Sequence, residues 1–91
     1  MPYVPSLNCK KLIVLLDNAK ELSVGHSNRT LAIDSVNSCK ILCKSHNFCI
    51  DDGIMDVLDS LIYAIRSFNP QVLSDKFDEI EEFVVSCDYS N

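Results

Sequence analysis

Residues 54–85 read IMDVLDSLIYAIRSFNPQVLSDKFDEIEEFVV, and this stretch decides the fold. Apolar residues recur three and four positions apart on both sides of Asn69-Pro70, which is typical of two amphipathic helices. Asparagine caps free amides of a first helical turn, and proline at the next position lacks the N–H that would stay unsatisfied there. Because so few residues link them, we expect the two helices to be antiparallel neighbours. The stripes comprise Ile54, Leu58, Leu61, Ile65 and Phe68 in the first helix, and Leu73, Phe77, Ile80, Val84 and Cys87 in the second.

Two further helices are predicted upstream, over residues 8–22 and 29–46. Ser6 is a candidate N-cap of the first helix, Gly25 a candidate left-handed residue that closes it, and Asn47 a candidate C-cap of the second. Two glycines and three prolines in 91 residues are too few turn-forming residues for the many tight turns of an all-β fold. We therefore predict one all-α domain over residues 1–91, a small antiparallel four-helix bundle. Residues 1–6 would form an extended arm and residues 88–91 a short tail.

The charge is divided unevenly along the chain. The whole sequence has a net charge of −5, which argues against a general nucleic-acid binder because such proteins replace condensed counterions with cations. Residues 1–50 carry six basic and three acidic side chains, net +3, whereas residues 51–91 carry two and ten, net −8. The two halves are thus expected to face each other, within one molecule or between two copies.

Five cysteines, an odd number, occur in a chain without an apparent export signal. This combination favours a reduced, intracellular setting over a disulfide framework, so we predict a cytoplasmic protein (in the host cytoplasm if the chain is viral). The longest strongly apolar run, residues 12–16, is far too short to span a bilayer, and no membrane-spanning helix is expected.

The pattern C-x3-C-x2-H-x2-C could bind zinc. On a helix, Cys39, Cys43 and His46 would project from one face, and Cys49 could fold back from the following loop. Three thiolates and an imidazole satisfy tetrahedral Zn²⁺. The competing interpretation is core packing, because cysteine behaves as a small buried hydrophobe and these two continue an apolar stripe. A zinc-stabilised helical domain is therefore the alternative function, and zinc is the one cofactor that the sequence suggests.

Catalysis is not expected from this sequence. It contains no nucleophile elbow, phosphate-binding glycine loop or HExxH motif. Residues 9–16, CKKLIVLL, resemble the small helical replicase cofactors of coronaviruses, but no further motif of that family follows and no residue role is taken from it.

We expect a non-catalytic protein–protein interaction module that binds through apolar helix faces with an acidic rim. Helices three and four contain more apolar residues than the core of a small bundle can bury. We therefore expect another protein to cover the remaining apolar side chains. That partner is expected to be a second copy, giving a homodimer through helix three or four, and a small viral or phage accessory protein would fit this description. The predicted partner-binding residues are Met55, Ile62, Tyr63, Phe83 and Val85, with the acidic residues Asp75, Asp78, Glu79 and Glu82.

Overall fold

The computed structural model describes residues 2–25, 28–67 and 69–90, and within them the chain is helical almost throughout. The helices are α1 (Leu7–Lys20), α2 (Arg29–His46), α3 (Ile54–Ser67) and α4 (Pro70–Ser90). A π-helical segment, Glu21–Gly25, continues α1 by about one turn. The prediction of a small antiparallel all-α four-helix bundle is confirmed.

The helices occupy the corners of a bundle in chain order. Helix α1 packs against α2 and α4, and α3 packs against the same two helices. Each helix buries the apolar stripe that its sequence spacing predicts, and these stripes together form one core. The fully buried large side chains are those of Leu12, Leu16, Val36, Ile54, Leu58, Leu61, Ile65, Leu73, Phe77, Ile80 and Val84.

The helix ends follow the predicted signals with one exception. The Ser6 hydroxyl accepts a hydrogen bond from the Cys9 amide, and Asn47 closes α2 in the left-handed conformation with φ 50°. The Asn69 side chain accepts from the first-turn amides of α4. The prediction that Gly25 closes the first helix in that conformation is wrong, because φ is positive only at Asn47, Cys49 and Gly53 among the described residues. The predicted last residue of the third helix, Phe68, lies outside the described residues.

The two ends of the chain are tied together by Asp88. The hydroxyls of Tyr3 and Ser6 each donate to its carboxylate at 2.6 Å, and the Ser6 amide donates at 3.0 Å. The pKa of Asp88 is lowered: partial burial acts in the opposite direction, and the hydrogen bonds from Ser6 and Tyr3 outweigh it. Residues 2–6 form the predicted non-helical arm, but the predicted tail is wrong because α4 continues to Ser90.

One disulfide crosses the bundle. Cys49, in the loop between α2 and α3, is bonded to Cys87 near the end of α4, and Cys9, Cys39 and Cys43 are free and buried. The expectation of a chain without disulfides is therefore wrong. Five cysteines can form up to two bonds, and only the packing of α4 beside the α2–α3 loop determines that Cys49 and Cys87 meet.

Candidate interaction site

The predicted apolar partner face is dispersed by the fold. Ile62 is buried, Met55, Phe83 and Val85 are partly buried, and Tyr63 alone is largely exposed, at 74%. Val85 lines a groove beside α1, whereas Met55 lines another beside α2. These five residues do not form one exposed apolar surface, because Ile62 is buried and Met55, Phe83 and Val85 pack against the core. Their role in binding a partner stays a prediction.

A groove of about 780 Å³ lies between α1 and α4. Three predicted partner-binding residues, Asp78, Glu82 and Val85, contribute to it, while the exposed Asp75 and Glu79 of α4 lie outside its lining. Four carboxylates and several apolar or aromatic side chains thus share one concave surface. The groove is lined by Tyr3, Ile13, Asp17, Asp78, Glu81, Glu82, Val85, Ser86 and Tyr89.

The electrostatics of this groove centre on Glu81. The pKa of its carboxyl is raised to about 7 by burial first, and then by a hydrogen bond with Asp17 and the negative charges of Asp17 and Asp78, while Lys20 acts in the opposite direction. One carboxylate oxygen, Oε1, is buried without a hydrogen-bond partner. The cation that acts on Glu81, Lys20, forms an ion pair with Asp78 at 3.2 Å. A cation that binds in the groove could therefore interact with the Glu81 carboxylate, whose oxygen Oε1 has no hydrogen-bond partner in the protein.

Replacing Glu81 by glutamine is expected to stabilise the protein at pH 8 and not at pH 4. The pKa of this carboxyl is higher in the folded protein than in the unfolded chain, so ionising it costs more free energy in the folded state. The free energy of unfolding therefore falls as the pH rises from about 4.5 to 7. The gain should be on the order of 1–2 kcal/mol, because water in the open groove screens part of the interaction. Urea unfolding of both proteins between pH 4 and 8 measures it. Glu79→Gln, an exposed site on the same helix, serves as the control, and an equal gain there would contradict the assignment to Glu81.

The opposite side of α1 carries a surface of the other charge. A groove of about 440 Å³ between α1 and α2 is lined by Lys10, Lys11, Val14, Leu15 and Leu42. A second groove, between α2 and α3, is lined by Asn37, Lys40, Ile41, Lys44 and Met55. Lys40 is paired with Asp59, but the structure shows no ion pair for Lys10, Lys11 or Lys44 among the residues that it describes. We refer to these two grooves together as the basic face.

Sequence reasoning included Met55 of the basic face but missed its exposed apolar residues Val14 and Ile41. Val14 is 66% exposed and Ile41 is 67% exposed. The signal was present in the helical period, since Val14 lies off the stripe of Leu12 and Leu16, and Ile41 lies opposite that of Val36 and Cys43.

The predicted zinc ligands do not converge. Cys39 and Cys43 lie in the core, where burial raises the pKa of their thiols to about 12 and about 11, so both are protonated at neutral pH. His46 is exposed at the end of α2, and Cys49 is bonded to Cys87. Across the described ranges, the one group of three or more potential metal ligands is Cys49, Asp52 and Cys87. The packing interpretation of Cys39 and Cys43 agrees with the structure.

None of the helices in the described ranges is both long enough and apolar enough to cross a bilayer. No protein-family model matches the chain, and no similar sequence among curated proteins or similar solved structure was found.

Proposed function

We propose that this chain is a non-catalytic protein–protein interaction module, that the groove between α1 and α4 is its binding site, and that a second copy is its partner. The observation that supports this most directly is the acidic groove around Glu81, whose buried Oε1 has no hydrogen-bond partner. The occupant would be the basic face of the other copy, which offers Lys10, Lys11 and Lys44 beside exposed apolar side chains.

Charge complementarity is the reason for choosing a second copy. Within one molecule, Lys20 pairs with Asp78 and Lys40 pairs with Asp59, so each bond joins the basic half of the chain to the acidic half. These pairs leave Lys10 and Lys11 on one side of α1 and the acids around Glu81 on the other. Every copy therefore presents both members of a complementary pair, and contact between unlike surfaces would satisfy them.

The two surfaces also suit each other in polarity. Ile13, Val85 and Tyr89 form apolar walls of the acidic groove, and Val14 and Leu15 form those of the basic groove. Apolar contact would supply the affinity, while the charges fix the orientation and repel acidic partners. A lysine ammonium near Glu81 would favour its ionised form, so association should release a proton and strengthen as the pH rises through about 7.

A charge-swap experiment tests this proposal. Glu82→Lys places a cation in the acidic groove, and Lys11→Glu places an anion on the basic face. Each variant alone should associate more weakly than the wild type in sedimentation and light scattering, because one of its two complementary surfaces has lost two units of charge. An equimolar mixture should associate, because the first variant retains the basic face and the second retains the acidic groove. We expect the wild-type protein to associate, and more weakly at high salt because exposed charges are screened.

The matched control is Asp75→Lys, which makes the same charge change on an exposed residue of α4 outside the groove lining. It should associate like the wild type. A wild-type protein that stays monomeric at high micromolar concentration would overturn the choice of a second copy as the partner. Association that Glu82→Lys and Asp75→Lys weaken equally would show attraction by net charge and would overturn the groove as the site.

A further inference from the structure

Three potential metal ligands meet where the α2–α3 loop contacts the end of α4. The sulfur atoms of Cys49 and Cys87 and a carboxylate oxygen of Asp52 all lie within 4.8 Å of one another. The Asp52 oxygen Oδ2 is 3.0 Å from the Cys87 sulfur. Both cysteines are buried, whereas Asp52 is exposed, so the cluster is closed on the sulfur side and open to water on the carboxylate side.

The backbone holds these residues in place independently of the bond between the sulfurs. The Cys49 carbonyl accepts hydrogen bonds from the amides of Asp52 and Ile54, both at 3.2 Å, which turns the loop so that Asp52 lies beside Cys49. Cys87 is fixed from the other side by its position in the buried stripe of α4. Opening the disulfide would therefore leave two thiols on backbones whose Cα atoms are 6.0 Å apart, with the carboxylate alongside.

We propose that the reduced form of this cluster binds Zn²⁺ through Cys49, Cys87 and Asp52, with water as the fourth ligand. Thiolates and carboxylates are accepted zinc ligands, and three protein ligands with one water give a tetrahedral site. Two sulfurs bound to one zinc at about 2.3 Å each stand about 3.8 Å apart, so the metal and the disulfide exclude each other. Two thiolates and a carboxylate crowded together repel, and a divalent cation removes that repulsion.

The interconversion balances as two steps. Two equivalents of a small thiol reductant supply two electrons and two protons to the disulfide, which yields the Cys49 and Cys87 thiols and one small-molecule disulfide. Zn²⁺ then binds both sulfurs and displaces their two protons into solution, and the Asp52 carboxylate supplies the third protein ligand. This site is separate from the α1–α4 groove and does not depend on the proposed function.

Cobalt substitution tests this proposal. The protein is reduced, freed of reductant without oxygen and titrated with Co²⁺, and the absorption of cobalt–thiolate bonds is followed until Zn²⁺ displaces the cobalt. We expect one Co²⁺ per chain, a spectrum typical of tetrahedral coordination, and no binding to the oxidised protein. Cys87→Ser should abolish the thiolate absorption of the one-to-one complex or weaken binding strongly. Asp52→Asn, a change at an exposed residue, should weaken cobalt binding at least about tenfold. This is the lower end of the loss in affinity that follows when the residues around a bound metal are changed.

The free cysteines provide matched controls. Cys39→Ser and Cys43→Ser alter the two buried thiols of α2 and should leave the cobalt affinity unchanged. All comparisons use reduced proteins with equal helical circular dichroism, so loss of the disulfide itself does not separate the variants. The proposal is overturned by a reduced wild type that binds no metal, or by binding that requires Cys39 or Cys43 but not Cys87. Unchanged affinity in Asp52→Asn would overturn the three-ligand site.

Discussion

Phe77→Ala is expected to lower the free energy of unfolding by about 3–5 kcal/mol. Phe77 is fully buried in the middle of α4, on the stripe that also carries Leu73 and Ile80. Removing its ring loses buried apolar area and leaves a cavity that neighbouring helices close only in part. A domain of 91 residues has a total stability of about 5–14 kcal/mol, so this change would consume a large share of it.

Urea unfolding followed by circular dichroism measures this loss, and the melting temperature should fall by at least about 12 °C. Tyr63→Ala is the matched control, because it removes an aromatic ring of similar size from α3 at a position that is 74% exposed. That change should stay within about 0.5 kcal/mol of the wild type. Equal losses in the two variants would contradict the placement of Phe77 in the core.

The fold could be predicted because its determinants are local. The period of apolar residues selects the buried side of each helix, and capping residues such as Ser6, Asn47 and Asn69 mark where helices begin and end. The segment after Lys20 escaped prediction for the opposite reason. There the helix widens into a π turn instead of ending at a left-handed glycine, and Gly25 has no positive φ that would have required this residue type.

The candidate site could not be predicted because it joins residues that are distant in the sequence. Asp17 looks like a solvent-exposed residue of α1 and Glu81 like one of many acids on α4, and only the packing of these two helices makes them neighbours. The same holds for the cysteines. Cys49 was assigned to a local metal pattern and Cys87 to an apolar stripe, yet tertiary packing brings them together. Residue spacing predicts which side chains share one face of a helix. It does not predict which faces of two helices pack together to form a groove.

Reduction of the Cys49–Cys87 disulfide is expected to lower the free energy of unfolding by about 4 kcal/mol. The bond closes a loop of 38 residues that contains all of α3 and most of α4. In the chain-entropy model, cross-linking destabilises the unfolded state in proportion to the logarithm of loop length, and a loop of this size gives about that value at 25 °C. Paired urea titrations of oxidised and reduced protein measure the difference directly.

The control is the double variant Cys49→Ser and Cys87→Ser, whose stability should not respond to the reductant. This absence of response matters because Cys9, Cys39 and Cys43 are free and should contribute no reductant-dependent change. The proposed zinc site would form in the reduced protein while it remains folded. Because Zn²⁺ would then bind only the folded chain, adding it should restore part of the lost free energy of unfolding. Identical urea midpoints for the oxidised and reduced wild type would contradict a stabilising contribution from this bond.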